Sequence, residues 1–185
     1  MRFLPNLLSF LRLLLSPGVL FLAQRGETKE SALLFLILAL SDALDGALAR
    51  LMNARTQLGK FLDPLADKVL LFFGLFTVSF YTDVKVLPIL FKLLVTRDLL
   101  LIGGTLLLKR LGFVPEPSLL GKLTTFVIST VVGLTFMMSL TGVLVPSVLF
   151  HSLQMISILL VVASAIDYTL KGIGYMKSKL IIERR

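Results

Sequence analysis

Hydrophobic stretches of about 20 residues recur along the whole chain, and each is long enough for an α-helix to span the roughly 30 Å hydrocarbon core of a bilayer. A soluble domain of 185 residues has no interior large enough to hide them, because 56% of the residues are hydrophobic and mean hydropathy is +0.94. In hydrocarbon the backbone must satisfy its own hydrogen bonds, so such stretches fold as helices. The pattern predicts six of them, at about 5–24, 31–52, 61–80, 86–109, 119–140 and 146–170. The first stretch could mimic a signal peptide, but no small-residue cleavage site follows it and similar stretches continue to the C-terminus. It reads as a retained helix.

The connections are short, and no internal repeat, low-complexity tract or soluble segment interrupts the series. The expected fold is all-α, a polytopic six-helix bundle forming a single membrane domain over 1–185. Lys and Arg gather near MNARTQ, KRLGFVPEP and the tail KGIGYMKSKLIIERR, whereas RGETKE, Tyr81 to Val84 and LTGVLVP carry few. By the positive-inside rule both termini face the cytoplasm. The tail mixes apolar and basic residues and is expected either to extend helix six along the inner leaflet or to fray into solvent. A net charge of +8, spread between and after apolar stretches, suits anionic lipid headgroups and not nucleic acid. The absence of cysteine excludes disulfides, thiolate metal sites and a cysteine nucleophile.

Of the 11 acidic residues, four lie within 26 positions: Asp42, Asp45, Asp63 and Asp67. The first two are three apart near the end of helix two, and the last two are four apart at the start of helix three, so each pair shares a helical face. Carboxylates gathered in an apolar setting repel one another and lose hydration, unless some protonate or a cation neutralises them. With no His or Cys nearby, the donors suit Mg²⁺, Mn²⁺ or Ca²⁺ and disfavour zinc. Gly46, Ala49 and Gly59 leave room for a ligand, and Arg50, one turn beyond Gly46, offers a planar fork to phosphate. Two cations held there could clamp a diphosphate while a carboxylate takes a proton from an alcohol. Two other readings compete: ion pairs with Arg50, Arg55, Lys60 and Lys68, or an ion pathway in a metal-coupled transporter. A transporter would usually show repeated halves or broken helices with a site at the midplane, unlike a cluster beside a short loop.

Within SDALDGALARLMNARTQLGKFLDPLAD, eight identities (Asp42, Asp45, Gly46, Ala49, Arg50, Gly59, Asp63 and Asp67) and all their spacings resemble the motif of the CDP-alcohol phosphatidyltransferase family. The resemblance covers nearly the whole chain and implies the six-helix fold of that family. It implies an enzyme of the bacterial cell membrane that moves a phosphatidyl group from CDP-diacylglycerol to an alcohol and releases CMP, at a cavity open to the cytoplasm. It further implies a two-metal Mg²⁺ or Mn²⁺ site on the four aspartates, with Asp67 as base. Gly46, Arg50, Thr56 and Gly59 are implied to hold the CDP moiety, and Asn6 and Ser9 add polar contacts. A homodimer is also implied.

The motif does not choose the alcohol. NLLSFLRLLLSP and LGKFLDPLADKVLL resemble bacterial members that use glycerol 3-phosphate, whose phosphate needs cations; Arg97, Lys122 and Lys60 are the candidates. TRDLLLIGG and PSLLGKLTT also resemble members that use phosphatidylglycerol to make cardiolipin. In the former group Glu more often follows the arginine, and here Asp98 does. Arg97 and Asp98 could also simply satisfy each other. Lys122 could snorkel to lipid phosphate, and Asp167 is expected to pair with nearby Lys171.

Overall fold

The computed structural model describes the backbone of residues 4–51, 57–109 and 118–183, and the side chains of residues 7–41, 62–109 and 118–177. Within these bounds the chain is all-helical: α1 Leu4–Gln24, α2 Thr28–Leu51, α3 Gln57–Phe80, α4 Pro88–Lys109, α5 Leu119–Thr141 and α6 Ser147–Glu183. Five of the six lie close to the stretches that hydropathy marks out. The sixth runs on through the basic tail as one 37-residue helix, about 55 Å long at 1.5 Å per residue, well beyond a bilayer core.

Local chemistry explains where α1 and α5 stop. Gly26 has φ +83°; its N–H donates to the carbonyl of Ala23 and that of Glu27 to Leu22, the paired bonds of a Schellman cap. Gly142, at φ +71°, donates to the carbonyl of Met138 and closes α5 in the simpler left-handed way. At the opposite kind of end, Ser118 caps α5: its Oγ accepts the N–H of Gly121 at 3.0 Å, satisfying one of the first-turn donors.

Two compact units divide the chain, Met1–Pro88 with Ser129–Ser147, and Ile89–Ile128 with Val148–Arg185. In the first, α1, α2 and α3 all pack against one another. Val19, Phe35, Leu70, Leu75, Val132 and Phe136 are among its buried apolar residues. The rings of Phe35 and Phe136 stack with centroids 4.5 Å apart, and Gly74 leaves the space that the Phe35 ring occupies. In the second unit, Leu90, Leu94, Ile128, Phe150 and Val161 are buried together with Ser118, Thr124, Gln154, Ser157 and Ser164.

Several polar side chains inside these helices are bonded to backbone. Thr135 and Ser157 donate back to the carbonyls of Val131 and Leu153. Ser31 of α2 reaches the carbonyl of Val19 of α1 at 2.7 Å, and Thr124 of α5 reaches that of Leu160 of α6 at 3.1 Å. Such bonding is what a medium without water demands. The outside is correspondingly apolar, with Leu107, Leu119 and Phe126 exposed by 75%, 73% and 69%, as befits a surface facing lipid chains.

Among the described residues, three helical segments are long and apolar enough to cross a membrane: Leu7–Gln24, Leu119–Thr141 and Ser147–Lys177. In α3 the run is broken by Asp63, Asp67 and Lys68, and in α4 by Lys92, Arg97 and Asp98. These interruptions carry the polar groups on which the sequence reading centres.

Candidate active site

Two polar clusters stand out, one in each unit. In the first unit, α3 presents Asp63 and Asp67 one turn apart, and α1 presents Ser9 and Arg12 three residues apart. The hydroxyl of Ser9 donates a short hydrogen bond to Oδ1 of Asp63. Arg12 Nη1 donates to Oδ1 of Asp67 at 2.7 Å. Both pairings advance in the same sense along the two helices, so α1 and α3 run in the same direction.

That parallel arrangement makes α2 the returning helix, with its C-terminal end beside the start of α3. Asp45 lies six residues before the end of α2 and Asp63 six residues after the start of α3, each about 9 Å along its helix from that end. Asp42 and Asp67 lie nine and ten residues in. Asp42 and Asp45 thus fall in the last three turns of α2, and Asp63 and Asp67 in the first three turns of α3, two helices that pack together. The side chains of Asp42, Asp45, Gly46 and Arg50 lie outside the described residues, as do those of Asn6, Gly59 and Lys60 and the whole of Thr56.

The Arg12 side chain is fully buried, whereas that of Asp67 is 49% exposed. The pair thus forms a boundary, with the guanidinium sealed behind the carboxylate and the carboxylate facing open space. A buried guanidinium needs such a partner to offset its lost hydration. Pro64, between the two aspartates, has no N–H to give the preceding turn, which loosens the α3 backbone ladder beside Asp63. The donors brought together here are carboxylate and hydroxyl oxygens, a set that fits a hard divalent cation and not zinc. Among the described side chains no group of three acidic or histidine residues clusters; Asp42 and Asp45 stand outside that set.

Sequence reasoning missed Arg12. A charged residue seven positions into an apolar stretch is itself a signal of function, but its partner lies 55 positions away and only folding brings the two together. Ser9, expected as a contact to CDP, lies at the same place, bonded to Asp63.

In the second unit, Arg97 of α4 is 7% exposed. Its Nη1 donates to Asp98 Oδ1 at 2.6 Å, the mutual pairing that the sequence allowed, and its Nε donates to Ser164 Oγ of α6 at 3.2 Å. Its Cζ lies 5.6 Å from the ring centroid of Tyr168, within cation–π range. Beside it a cavity of about 410 Å³ opens between α4 and α6, lined by Arg97, Gly104, Thr105, Tyr168 and Gly172 among others. Lys122 is exposed in the first turn of α5. Asp167 pairs with Lys171 at 2.8 Å on one face of α6, as expected, and His151 is exposed near the start of that helix.

A family model described as CDP-alcohol phosphatidyltransferase matches residues 2–168. The CDP-diacylglycerol--glycerol-3-phosphate 3-phosphatidyltransferase of Aquifex aeolicus is 44% identical over 169 residues, covering 91% of this chain and 94% of its own. A probable phosphatidylglycerophosphate synthase of Mycobacterium tuberculosis is 34% identical, covering 92% and 81%. A probable cardiolipin synthase (CMP-forming) of Drosophila melanogaster is 31% identical over 71% of this chain and 46% of its own.

Proposed function

The chain belongs to the CDP-alcohol phosphatidyltransferase family, and from that membership we propose that it transfers a phosphatidyl group from CDP-diacylglycerol to glycerol 3-phosphate, giving phosphatidylglycerophosphate and CMP. The observation that carries the choice of acceptor is the 44% identity, over 91% of the chain, with an enzyme named for that reaction. Membership favours this reading over a metal-coupled transporter.

In this reading Asp67 takes the proton of the acceptor's hydroxyl, and the freed oxygen attacks the phosphorus that carries the diacylglycerol. The bond from that phosphorus to the bridging oxygen breaks, and CMP leaves with the oxygen and both bonding electrons. The half-exposed carboxylate of Asp67 is suited to meet a substrate hydroxyl, while the Arg12 bond fixes its orientation. Asp42, Asp45, Asp63 and Asp67 would hold two Mg²⁺ or Mn²⁺ ions, whose charge offsets that of the diphosphate. Gly46, Arg50, Thr56 and Gly59 bind the CDP portion, with Asn6 and Ser9 as further contacts. Arg97, Lys122 and Lys60 take the acceptor's phosphate. The protein is read as a single membrane domain crossing six times, dimeric, with its termini and active site on the cytoplasmic side.

The second reading, cardiolipin synthesis from phosphatidylglycerol, is favoured by the likeness to the Drosophila protein and by Asp98 after Arg97. One experiment separates the two. Purified protein is given CDP-diacylglycerol and Mg²⁺ or Mn²⁺, with glycerol 3-phosphate or phosphatidylglycerol supplied separately, and CMP is measured. Release with glycerol 3-phosphate alone supports the first reading; release with phosphatidylglycerol alone replaces it with the second. Chelation should stop CMP release and added Mg²⁺ or Mn²⁺ restore it; activity that survives thorough chelation would remove the metals from the proposal.

A further inference from the structure

Three helices converge on the guanidinium of Arg97, and each contributes a group that limits where it can sit. Ser164 of α6 gives its own proton to the carbonyl of Val161 at 2.9 Å, so its oxygen faces Arg97 Nε as an acceptor and holds that edge. One turn further along the same helix, the ring of Tyr168 lies 5.6 Å from the guanidinium carbon. The Tyr168 hydroxyl accepts the N–H of Ser118 at 3.4 Å, which ties the ring to the start of α5. There the Ser118 cap sets the first turn and brings Gly121 against the remaining guanidinium nitrogen: a Cβ at Gly121 would lie 2.9 Å from Arg97 Nη2 and 3.2 Å from Ser118 Oγ. Asp98 holds Nη1.

We infer that Ser164, Tyr168 and Gly121 are positioning residues that fix the Arg97 guanidinium for the acceptor's phosphate, an inference that rests on the reading of Arg97 as an acceptor contact. Arginine has several rotatable bonds, and an unrestrained fork would lose much of its binding energy in being ordered by the ligand. Here the restraint is built in. Ser164 fixes the Nε edge, the Tyr168 ring limits motion out of plane, and the missing side chain at Gly121 leaves room for Nη2. Residues on α5 and α6 thereby act on the acceptor without touching it.

The test is steady-state CMP release by the full chain in lipid–detergent micelles, with glycerol 3-phosphate and CDP-diacylglycerol varied separately. Ser164→Ala removes the acceptor for Nε and Gly121→Ala pushes on Nη2. Each is expected to raise the KM for glycerol 3-phosphate roughly tenfold, as for loss of a hydrogen bond to a charged group, and to leave the KM for CDP-diacylglycerol unchanged. Ser164→Thr keeps the hydroxyl and should remain near the unaltered protein. Tyr168→Phe keeps the ring, loses the tie to Ser118, and should give a smaller shift in the same KM. If Ser164 works through Arg97, adding Ser164→Ala to Arg97→Ala brings no further change in that KM.

Equal shifts in both KM values, or full additivity on Arg97→Ala, would overturn the positioning role. So would a raised glycerol 3-phosphate KM in Arg97→Ala with none in Ser164→Ala, although Arg97 would then stand as an acceptor contact. An Arg97→Ala variant with unchanged KM for glycerol 3-phosphate would remove the underlying reading itself. Should Gly121→Ala fail to fold, the Ala and Thr variants at Ser164 decide the matter.

Discussion

The full burial of Arg12 behind a half-exposed Asp67 governs how either residue can be probed. Removing the carboxylate altogether would leave the guanidinium without the partner that holds Nη1. Asp67→Asn keeps an oxygen there to accept that bond while abolishing the base. Asp67→Asn should therefore lower CMP release by about 100-fold or more, the usual worth of a general base, with a melting temperature within a few degrees of the unaltered protein. Arg12→Met should act the other way round on stability. It removes the Arg12 bond to Asp67 and should cost about 1–3 kcal/mol, less than breaking a fully buried pair because Asp67 is partly in water. Thermal unfolding in detergent, read alongside CMP release, checks both; an Asp67→Asn variant that keeps its CMP release would count against the assignment as base. The four aspartates could be singled out in the sequence because their spacing within each helix is local, and of them Asp63 and Asp67 are seen with their partners. Arg12 could not be, because the chain offers no local mark of a partner 55 positions away.

Helix limits were legible to within a few residues where apolar runs end at a glycine cap, as at Gly26 and Gly142. The end of α6 was legible only as two alternatives, an extended helix or a frayed tail, because hydropathy falls at Lys171 and the helix-weakening Gly172 and Gly174 follow, yet the helix runs on to Glu183. Packing between elements was also hidden. Nothing local says that Gly74 of α3 lies under the ring of Phe35 in α2, with Val132 Cγ1 3.2 Å from where its Cβ would be. A Gly74→Leu substitution forces α3 away from both neighbours and should cost about 1–3 kcal/mol, the range for overpacking a close-packed interior. Because Asp67 stands two turns before Gly74 on the same helix, CMP release should fall as well. Gly74→Ala, with one carbon to accommodate, should fall between the two. Melting temperatures unchanged across this series would mean that α3 and the Phe35 ring do not meet as described.

At the scale of the molecule, the number of membrane crossings decides which surface the active site faces, and composition alone leaves two counts in play. If only the three segments long and apolar enough to span do so, the chain crosses at α1, returns at α5 and crosses again at α6. Asp83 and Leu144 then lie on opposite faces, and Lys177 shares the face of Asp83. If all six helices cross, Asp83 and Leu144 follow three and five crossings and share one face, with Lys177 on the other. The parallel run of α1 and α3 argues for six, since α2 must then return between them. A charged α3 or α4 can cross at lower cost where its charges are paired, as Arg12 with Asp67 and Arg97 with Ser164 and Asp98. The chain has no cysteine of its own, so Asp83→Cys, Leu144→Cys and Lys177→Cys each introduce a single reactive thiol. In intact cells, a membrane-impermeant maleimide should label the first two and reach the third only after permeabilisation. Labelling of Asp83→Cys and Lys177→Cys together, with Leu144→Cys protected, would establish three crossings and place the C-terminus outside.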